Sequence, residues 1–422
     1  MGLWGLLKTL IVKSPAQYHW RTECRIKRLG PLSKRIVLAA TRHQGGARIF
    51  QGPLKYSLTM SNNDRNALSI VDRLQMAWIL LPAPIVAVWA LVQAPFTTHG
   101  RSKSWKRNIL DRLFRWIISG MNRRQARALL GTTRGAYDQF LKEHKMEPVV
   151  EEIGEDARLL WIGPKQTERV LLYLHGGAFL LGMSSFAASF WKYMQDHLGK
   201  RGKPTGVAIL NYTLVPDLQF PGQLKQGVRA VQHLLDSGVK PENIQLVGDS
   251  AGGAFIYQIW SHILHPVDGV PKLELSSPFG GAYLVSPWVR MIDDEGKFFP
   301  SKGNLDYLTP ATGNYWGHKV LDGLPASAIP YVEANSTPEG WLQGVEKCVK
   351  RVLISAGGVE TLCGEIIKFQ EVVKKHHKDV TFYLQDHGVH NEPYQDFMTK
   401  EKKLGKLTPL VLDWLDAGFE KS

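Results

Sequence analysis

A serine between two glycines, at the end of an apolar run, constrains the fold of this chain more than any other feature. The run Ile244–Gly248 leads into the pattern Gly-x-Ser-x-Gly around Ser250, and residues 251–264 continue with helical spacing. A strand that turns this sharply into a helix holds the serine hydroxyl above the carboxyl end of the strand. Glycine at the two flanking positions fits, because side chains there would collide across the turn. The pattern predicts a strand, a tight turn and a helix, with Ser250 as a candidate nucleophile.

A second glycine-rich turn lies upstream of this serine. The apolar stretch Val170–Leu174 predicts a buried strand, and the sequence HGGAF, from His175 to Phe179, follows it directly. Backbone N–H groups in such a turn can point at an oxygen that becomes negatively charged during a reaction. Alone, the motif indicates no more than a tight turn after a strand. Together with Ser250 it predicts an oxyanion-binding loop.

The net positive charge of the chain is confined to its N-terminal third. The net charge is +14; residues 1–150 carry 25 Lys/Arg against 7 Asp/Glu, and the remainder carries 27 against 31. The near-neutral part holds both motifs, which argues against a catalytic groove that follows phosphates. The basic part lacks the interleaved aromatic residues of a nucleic-acid binder, so no nucleic-acid partner is expected. A basic segment of this kind fits the surface of anionic lipid.

The charge and the hydrophobic pattern divide the chain into three parts. Residues 1–60 form a basic stretch without a recognisable pattern, for which we expect a poorly ordered tail. Residues 61–150 are apolar and then basic with helical spacing, which predicts a membrane anchor or a cap. Residues 151–422 predict the catalytic domain, with a cap insertion around residues 287–350. The oligomeric state is left open.

The segment Leu74–Phe96 contains 23 residues without a charge, which is long enough to cross a bilayer. Pro82 and Pro84 argue against a straight helix, so a hairpin in one leaflet and a helix pair folded over the enzyme as a lid are alternatives. Basic residues follow the segment and weakly place the catalytic part on the cytosolic side. The sequence predicts a membrane-associated protein, with the endoplasmic reticulum as one location and the cytoplasm as the alternative.

Cysteines and metal-ligand patterns are sparse. Cys24, Cys348 and Cys363 are too few for a disulfide framework and are expected to be reduced. The sequence has no Cys-x-x-Cys pair and no Cys/His cluster with the spacing of metal ligands. No metal or organic cofactor is expected.

From residue 157 onward the pattern alternates between strands and helices. Such alternation predicts an α/β fold with a mostly parallel central sheet and helices on its faces. The strand candidates are residues 158–162, 170–174, 206–212, 244–249, 281–286, 351–356 and 380–385. The helix candidates between them are residues 185–198, 222–237, 251–264 and 362–377.

A serine nucleophile needs a base and a carboxylate that orients the base. After the next-to-last strand, a Gly-Gly turn is followed by Glu360, and the loop after the last strand carries His387 and His390. We favour His390 as the base, because Gly388 and Val389 give the loop room to turn, and His387 remains the alternative. Asp386 and Glu365 are rival acids, and Asp249 is expected to brace the turn at the serine.

These motifs together resemble the hormone-sensitive-lipase-like branch of the α/β hydrolases, most closely the fungal steryl acetyl hydrolase type. The resemblance covers about residues 70–415 and includes HGGAF, GDSAGG, the stretch from Tyr212 to Pro221, GGVE and GVH. It implies a triad of Ser250, Glu360 and His390. It also implies an oxyanion hole made by Gly176, Gly177 and the N–H of Ala251. The chain departs from the usual pattern at Ala178, where many relatives have a third glycine, and at Glu360, where an aspartate is commoner.

The expected activity is that of a serine carboxylesterase on a lipophilic ester, such as an acetylated sterol, terpenoid or other secondary metabolite. Phe179, Tyr212 and Trp288 are the expected pocket residues. Two alternatives stay open: an acyltransferase or deacetylase with the same triad, and a ligand-binding receptor on the same fold. The receptors of this kind keep the serine and lose the histidine, so His390 argues against that alternative.

Overall fold

A computed structural model describes residues 67–296 and 305–419 of the chain. Within these residues the core is one sheet of eight strands in the order β1-β2-β4-β3-β5-β6-β7-β8. Strands β1, β2 and β4 pair antiparallel, and the pairings from β4 to β8 are parallel. The strands are β1 Val149–Gly154, β2 Ala157–Ile162, β3 Val170–Leu174, β4 Gly206–Asn211, β5 Ile244–Asp249, β6 Gly281–Val285, β7 Val352–Gly357 and β8 Val380–Gln385.

Helices cover both faces of this sheet, and further helices precede it. The longer ones are α1 Ile70–Leu80, α2 Ala83–Gln93, α3 Trp105–Gly120, α4 Arg123–Leu130, α5 Thr133–His144, α6 Ser185–Lys200, α7 Gly222–Asp236, α8 Ala251–Leu264, α9 Pro310–Leu321, α10 Cys363–His376, α11 Glu392–Thr399 and α12 Leu407–Ala417. Single turns occur at Thr98–Arg101 and Ile329–Val332, and 3₁₀ turns at Ala94–Phe96, Pro241–Asn243, Ala326–Ala328, Ala334–Ser336 and Val345–Lys347. Cys348 is a free thiol, and both Cys348 and Cys363 are buried.

The predicted α/β class is confirmed, and the predicted strands and helices match the observed ones within about two residues. Strand β5 lies in the middle of the sheet between β3 and β6, and all six of its residues are buried. The sequence missed β1, because this edge strand is only half-buried and pairs with a single neighbour. A half-exposed strand that contains two glutamates lacks a clear apolar pattern. The division at residues 60 and 150 stays a prediction, and the stretch 1–60 lies outside the described residues.

The apolar segment before the sheet forms two helices joined by a bend. Helix α1 ends at Leu80 and α2 begins at Ala83, with Pro82 at the junction. Proline lacks the N–H that would continue the helical ladder, so the bend is expected there. Among the described residues, Ile70–Phe96 is the one stretch long and apolar enough to cross a membrane, by length and composition alone.

Helix α3 attaches these helices to the rest of the fold through a buried ion-pair network. Arg107 contacts Glu392 at 3.0 Å and Asp396 at 3.0 Å, both on α11. Lys103 also pairs with Glu392. Glu392 accepts a hydrogen bond from the N–H of Val389 at 2.9 Å. The helices before the sheet are thus connected to the loop that carries His390.

Candidate active site

Ser250 stands at a strained turn between β5 and α8. Its backbone has φ 52° and ψ −116°, a conformation that residues other than glycine rarely adopt. The N–H of Ser250 donates to the carbonyl of Val285 at 2.8 Å, and the N–H of Trp288 donates to the carbonyl of Ser250 at 2.9 Å. Strand β6 and its following loop therefore hold the serine in this geometry.

Two glycines make the tight turn sterically possible. A Cβ on Gly248 would lie 2.6 Å from the backbone of Gly252, and a Cβ on Gly252 would overlap the carbonyl of Leu174. Side chains at either position would push the helix away from the strand. Ala251 is the first residue of α8, so its N–H has no partner within the helix and points along the positive end of the helix dipole.

The glycine-rich loop after β3 lies against the same turn. The N–H of Gly176 donates to Asp249 Oδ1 at 3.0 Å. A donor bonded to a carboxylate is not free for a substrate oxygen, so this contact argues against the N–H of Gly176 as an oxyanion donor. The oxyanion hole of Gly176, Gly177 and Ala251 stays a prediction. Within the described residues, the N–H groups of Gly177 and Ala178 make no such bond. Both residues have positive φ, 103° and 56°, so the loop is held in an unusual backbone conformation.

His175 anchors this loop, because both nitrogens of its ring contact other groups of the protein. Its Nε2 lies 2.9 Å from Thr133 Oγ1, and its Nδ1 lies 2.7 Å from the carbonyl of Gly176. Burial lowers the pKa of His175 to about 4, so the ring is neutral at physiological pH. Tyr212 stacks on this ring and its hydroxyl donates to the carbonyl of His175 at 2.9 Å. Tyr212 therefore supports the glycine loop, and its expected contact with a substrate stays a prediction.

Phe179 and Trp288, the other expected pocket residues, are also buried. The ring of Phe179 packs against those of Tyr212 and Phe255, with centroids 6.1 and 5.9 Å away. Trp288 follows strand β6 and bonds Ser250 through its backbone. Their contact with a substrate stays a prediction.

Glu360 follows strand β7 and His390 follows strand β8, and the two side chains lie close together although 30 positions separate them in sequence. His390 Nδ1 lies 3.5 Å from Glu360 Oε2, the outer limit for a hydrogen bond, and both side chains are buried. Such bonds are often long before a substrate arrives. Burial lowers the pKa of His390, but the hydrogen bond and charge of Glu360 outweigh this, and the pKa is raised overall.

The rival residues are placed differently. His387 is only partly buried and packs edge-on to His99 at 6.3 Å. Asp386 is exposed. Glu365 bonds Arg290 at 3.0 Å and Asn335 at 2.8 Å, away from the histidine loop. These contacts favour Glu360 and His390 as the acid and the base.

Asp249 connects the turn, the glycine loop and the histidine loop. It accepts hydrogen bonds from Tyr173 Oη at 2.6 Å, from the Gly176 N–H and from Asn391 Nδ2 at 2.9 Å. Asn391 directly follows His390, so this bond fixes the histidine loop to the residue before Ser250. The expectation that Asp249 braces the turn agrees with these contacts.

Sequence reasoning missed two residues that hold Glu360 and His390 in place. Ser286 Oγ donates to Glu360 Oε2 at 2.6 Å and accepts from the N–H of Asn391 at 3.1 Å. Asp306 accepts from the N–H of His390 at 3.0 Å and from the N–H of Thr361 at 2.8 Å. Ser286 directly follows core strand β6, and this position in the sequence does little to indicate a role at the site. Asp306 lies in the irregular insertion, where no pattern in the sequence indicates it.

Asp306 supplies a test of this arrangement. Burial raises its pKa to about 6, so it is charged at neutral pH, and its charge helps to raise the pKa of His390. We expect Asp306→Asn to lower kcat/KM roughly tenfold, because an amide can accept from only one of the two N–H groups. The acid limb of the pH–rate profile should move to lower pH, because His390 would lose its proton more readily.

The matched control for this prediction is Asp386→Asn, which changes an exposed carboxylate in the loop that carries His390. It should change neither the rate nor the profile. An Asp306→Asn enzyme with a lower rate and an unmoved acid limb would show that Asp306 has only a structural role.

A cleft of about 490 Å³ lies near the glycine loop. Its walls include Leu180, Pro216, Arg123 and Tyr315, and Ser250 does not line it. The cleft is therefore bounded by the helices before the sheet, the loop after β4 and helix α9. Within the residues that the structure describes, no group of three or more His, Cys, Asp or Glu side chains is placed to hold a metal ion.

The geometry defines an α/β hydrolase, and comparison with known proteins agrees. The profile of a family described as an alpha/beta hydrolase fold matches residues 171–393. The chain belongs to this family.

Two curated relatives are named for ester hydrolysis. An acetyl-hydrolase of Streptomyces hygroscopicus is 26% identical over 223 residues, which cover 53% of this chain and 68% of the relative. The esterase LipU of Mycobacterium tuberculosis is 27% identical over 199 residues, which cover 46% of this chain and 61% of the relative. The predicted class of enzyme, a carboxylic ester hydrolase, is the class for which these relatives are named.

A solved structure extends the similarity of fold. An esterase from the bacterial hormone-sensitive lipase family superposes with a TM-score of 0.52 at 19% identity, and covers 80% of this chain and 98% of its own. At this identity the superposition shows the fold alone. The hormone-sensitive lipase of Homo sapiens is 27% identical over 122 residues, which cover 27% of this chain and 11% of that protein. Together with the family match, this relative confirms the predicted resemblance to the hormone-sensitive-lipase-like branch.

Proposed function

We propose that the chain is a serine carboxylesterase with Ser250 as nucleophile, His390 as base and Glu360 as the orienting acid. The observation that carries this proposal is the buried Glu360–His390 pair, whose loop is bonded through Asn391 to the residue before Ser250. A raised pKa at His390 suits a base that must take a proton and then hold it beside a carboxylate.

In the proposed mechanism these residues act in sequence. Ser250 Oγ attacks the ester carbonyl while His390 removes its proton, and the carbonyl oxygen becomes negative. The N–H groups of Gly177, Ala178 and Ala251 are the donors available to that oxygen. His390 gives the proton to the departing alcohol, and water then releases the acyl group from Ser250 by the same steps in reverse order.

We propose a lipophilic ester as the substrate, with an acetyl group as the acyl part. The name of the Streptomyces relative supports the acetyl group. The resemblance to the steryl acetyl hydrolase type supports a sterol, a terpenoid or another secondary metabolite as the alcohol. An acyltransferase with the same residues would differ only in the acceptor, and a comparison of water with added alcohol as acceptor separates the two.

We propose that the enzyme works at a membrane. The support is the apolar segment Ile70–Phe96. In its most apolar stretch of 18 residues, only 6% is buried inside the protein. The endoplasmic reticulum is one location compatible with this proposal. The cytoplasm is the alternative location.

A fluorophosphonate probe tests the proposed nucleophile in a single experiment. Such probes react with activated serines, so the full chain should be labelled, and mass mapping should place the label on Ser250. Heat-denatured protein is the control and should not be labelled. Labelling at another serine, or equal labelling of denatured protein, would contradict the proposal.

A further inference from the structure

The helices before the sheet expose an apolar stripe that the other described residues leave uncovered. Of the fourteen large hydrophobic side chains exposed among the described residues, thirteen lie between Ile70 and Trp116. We call the following six the apolar face: Leu74, Trp78, Leu81, Ile85, Trp89 and Phe96. Their exposed fractions range from 59% to 82%. Their spacing of three, four or seven residues places them along one side of α1 and α2, across the bend.

A contiguous apolar surface of this kind marks an interaction site in a folded protein. The partner is indicated by two further features of the same helices. Trp78 and Trp89 have amphipathic rings that favour the boundary between lipid and water. Residues 67–130 carry ten Lys/Arg against two Asp/Glu, and Arg73, Arg101 and Arg124 are exposed. An apolar stripe with a basic surround is complementary to a bilayer that contains anionic lipid.

The helices before the sheet are attached to helix α3 and to the residues that follow it. At one end, Asn122, the residue just before helix α4, donates from Nδ2 to Asp72 Oδ1 on α1 at 2.8 Å. In the middle, Trp116 Nε1 donates to the carbonyl of Ile79 at 2.7 Å. Beyond the other end, Asn108 Nδ2 donates to the carbonyl of Gly100 at 2.9 Å. Because of these hydrogen bonds, we expect α1, α2 and α3 to move as one unit.

This attachment argues against a helix that crosses the bilayer. Helix α3 carries Lys106, Arg107, Asp111, Arg112 and Arg115. If α1 and α2 spanned a membrane, these charges would either enter the hydrocarbon, which is costly, or α3 would have to separate from its partners. Separation would also break the Arg107 contacts with Glu392 and Asp396.

We infer that α1 and α2 lie in the plane of the membrane surface, with the apolar face inserted into one leaflet that contains anionic lipid. This inference deepens the proposed membrane association and gives it an orientation. The catalytic domain then stays on the side from which the helices insert. Its link to the substrate, a lipophilic ester drawn from that same leaflet, rests on the proposed esterase activity.

Vesicle flotation of the full chain tests the surface. Wild type should float with vesicles of phosphatidylcholine and phosphatidylserine, and less with phosphatidylcholine alone. The double change Trp78→Gln and Trp89→Gln should weaken binding by at least about tenfold, because two large apolar groups are lost. The matched control is Leu384→Gln, the exposed hydrophobic residue outside these helices, which should bind like wild type.

Depth measurements separate an in-plane helix from a crossing one. Single cysteines replace Leu74, Ile85 or Phe96 in a Cys24→Ser background, carry a fluorophore, and are quenched by lipids with nitroxides at different depths. Similar shallow depths at all three positions are expected. A deep Ile85 between two shallow ends would overturn the in-plane orientation.

Two further readouts keep the outcomes distinct. Each variant is assayed on a soluble short-chain ester, where the tryptophan changes should leave turnover near the wild-type value. An enzyme that binds vesicles but hydrolyses no ester would contradict the proposed function alone. Light scattering of the free protein tests whether a second copy of the chain covers the apolar face instead. If wild type formed a dimer that the tryptophan changes dissociate, and did not bind vesicles, the assignment of the apolar face to lipid would be wrong.

Discussion

Ser250→Ala is expected to abolish hydrolysis of a short p-nitrophenyl ester. The change removes the only atom proposed to bond with the acyl carbon, and the remaining donors can only polarise the carbonyl. Loss of a triad nucleophile lowers kcat by roughly 10³ to 10⁶ fold, so turnover should fall to the level of the uncatalysed reaction within a standard assay. The measurement is the initial rate with purified full-length protein.

The fold should survive this change, because Ala fits the same space and the backbone bonds of Ser250 to Val285 and Trp288 do not involve its side chain. Circular dichroism and the melting temperature are the controls for folding. Ser261→Ala changes a buried serine in helix α8, the helix that follows Ser250; this matched control should keep its turnover. Undiminished hydrolysis by Ser250→Ala would exclude the proposed mechanism.

His390→Ala should lower kcat by at least about a thousandfold, and His387→Ala should stay within about twofold of wild type. The reason is position. His390 is buried 3.5 Å from Glu360, whereas His387 packs at the surface beside His99. Steady-state rates of the two variants, measured side by side across pH, give the comparison.

Loss of a buried imidazole can also weaken the loop, so His390→Gln provides a second variant of similar size that cannot serve as a base. If His390→Gln retained most of its turnover, or if both alanine variants lost activity equally, the assignment of the base would be wrong.

The fold was largely predictable because its core strands are apolar runs bounded by glycine-rich turns. Strands β3 and β5 are fully buried, and their composition alone reveals them. The order of motifs along the chain then places Ser250 and the glycine loop at one edge of the sheet. Likewise, Glu360 and His390 each follow one of the last two strands, where their chain order could be used.

The contacts that refine the site were not predictable, since they depend on loops that meet only in space. The donation of the Gly176 N–H to Asp249 requires two loops after neighbouring strands to touch, and a motif contains no information about which N–H is used. Asp306 is a single acid in an irregular stretch, and its role arises from two backbone N–H groups that come from distant positions. The bend at Pro82 was indicated, but its attachment to α3 was not.

Glu392 has a consequence for how this protein can be shortened. Its carboxylate is buried between Arg107 and Lys103, and these cations hold its pKa low despite burial. A fragment that begins at the first strand would leave this negative charge inside the protein with neither counter-ion, beside the loop of His390. The helices before the sheet are therefore an integral part of the enzyme, and the proposed membrane binding is better removed by replacing apolar side chains on their outer face than by cutting the helices away.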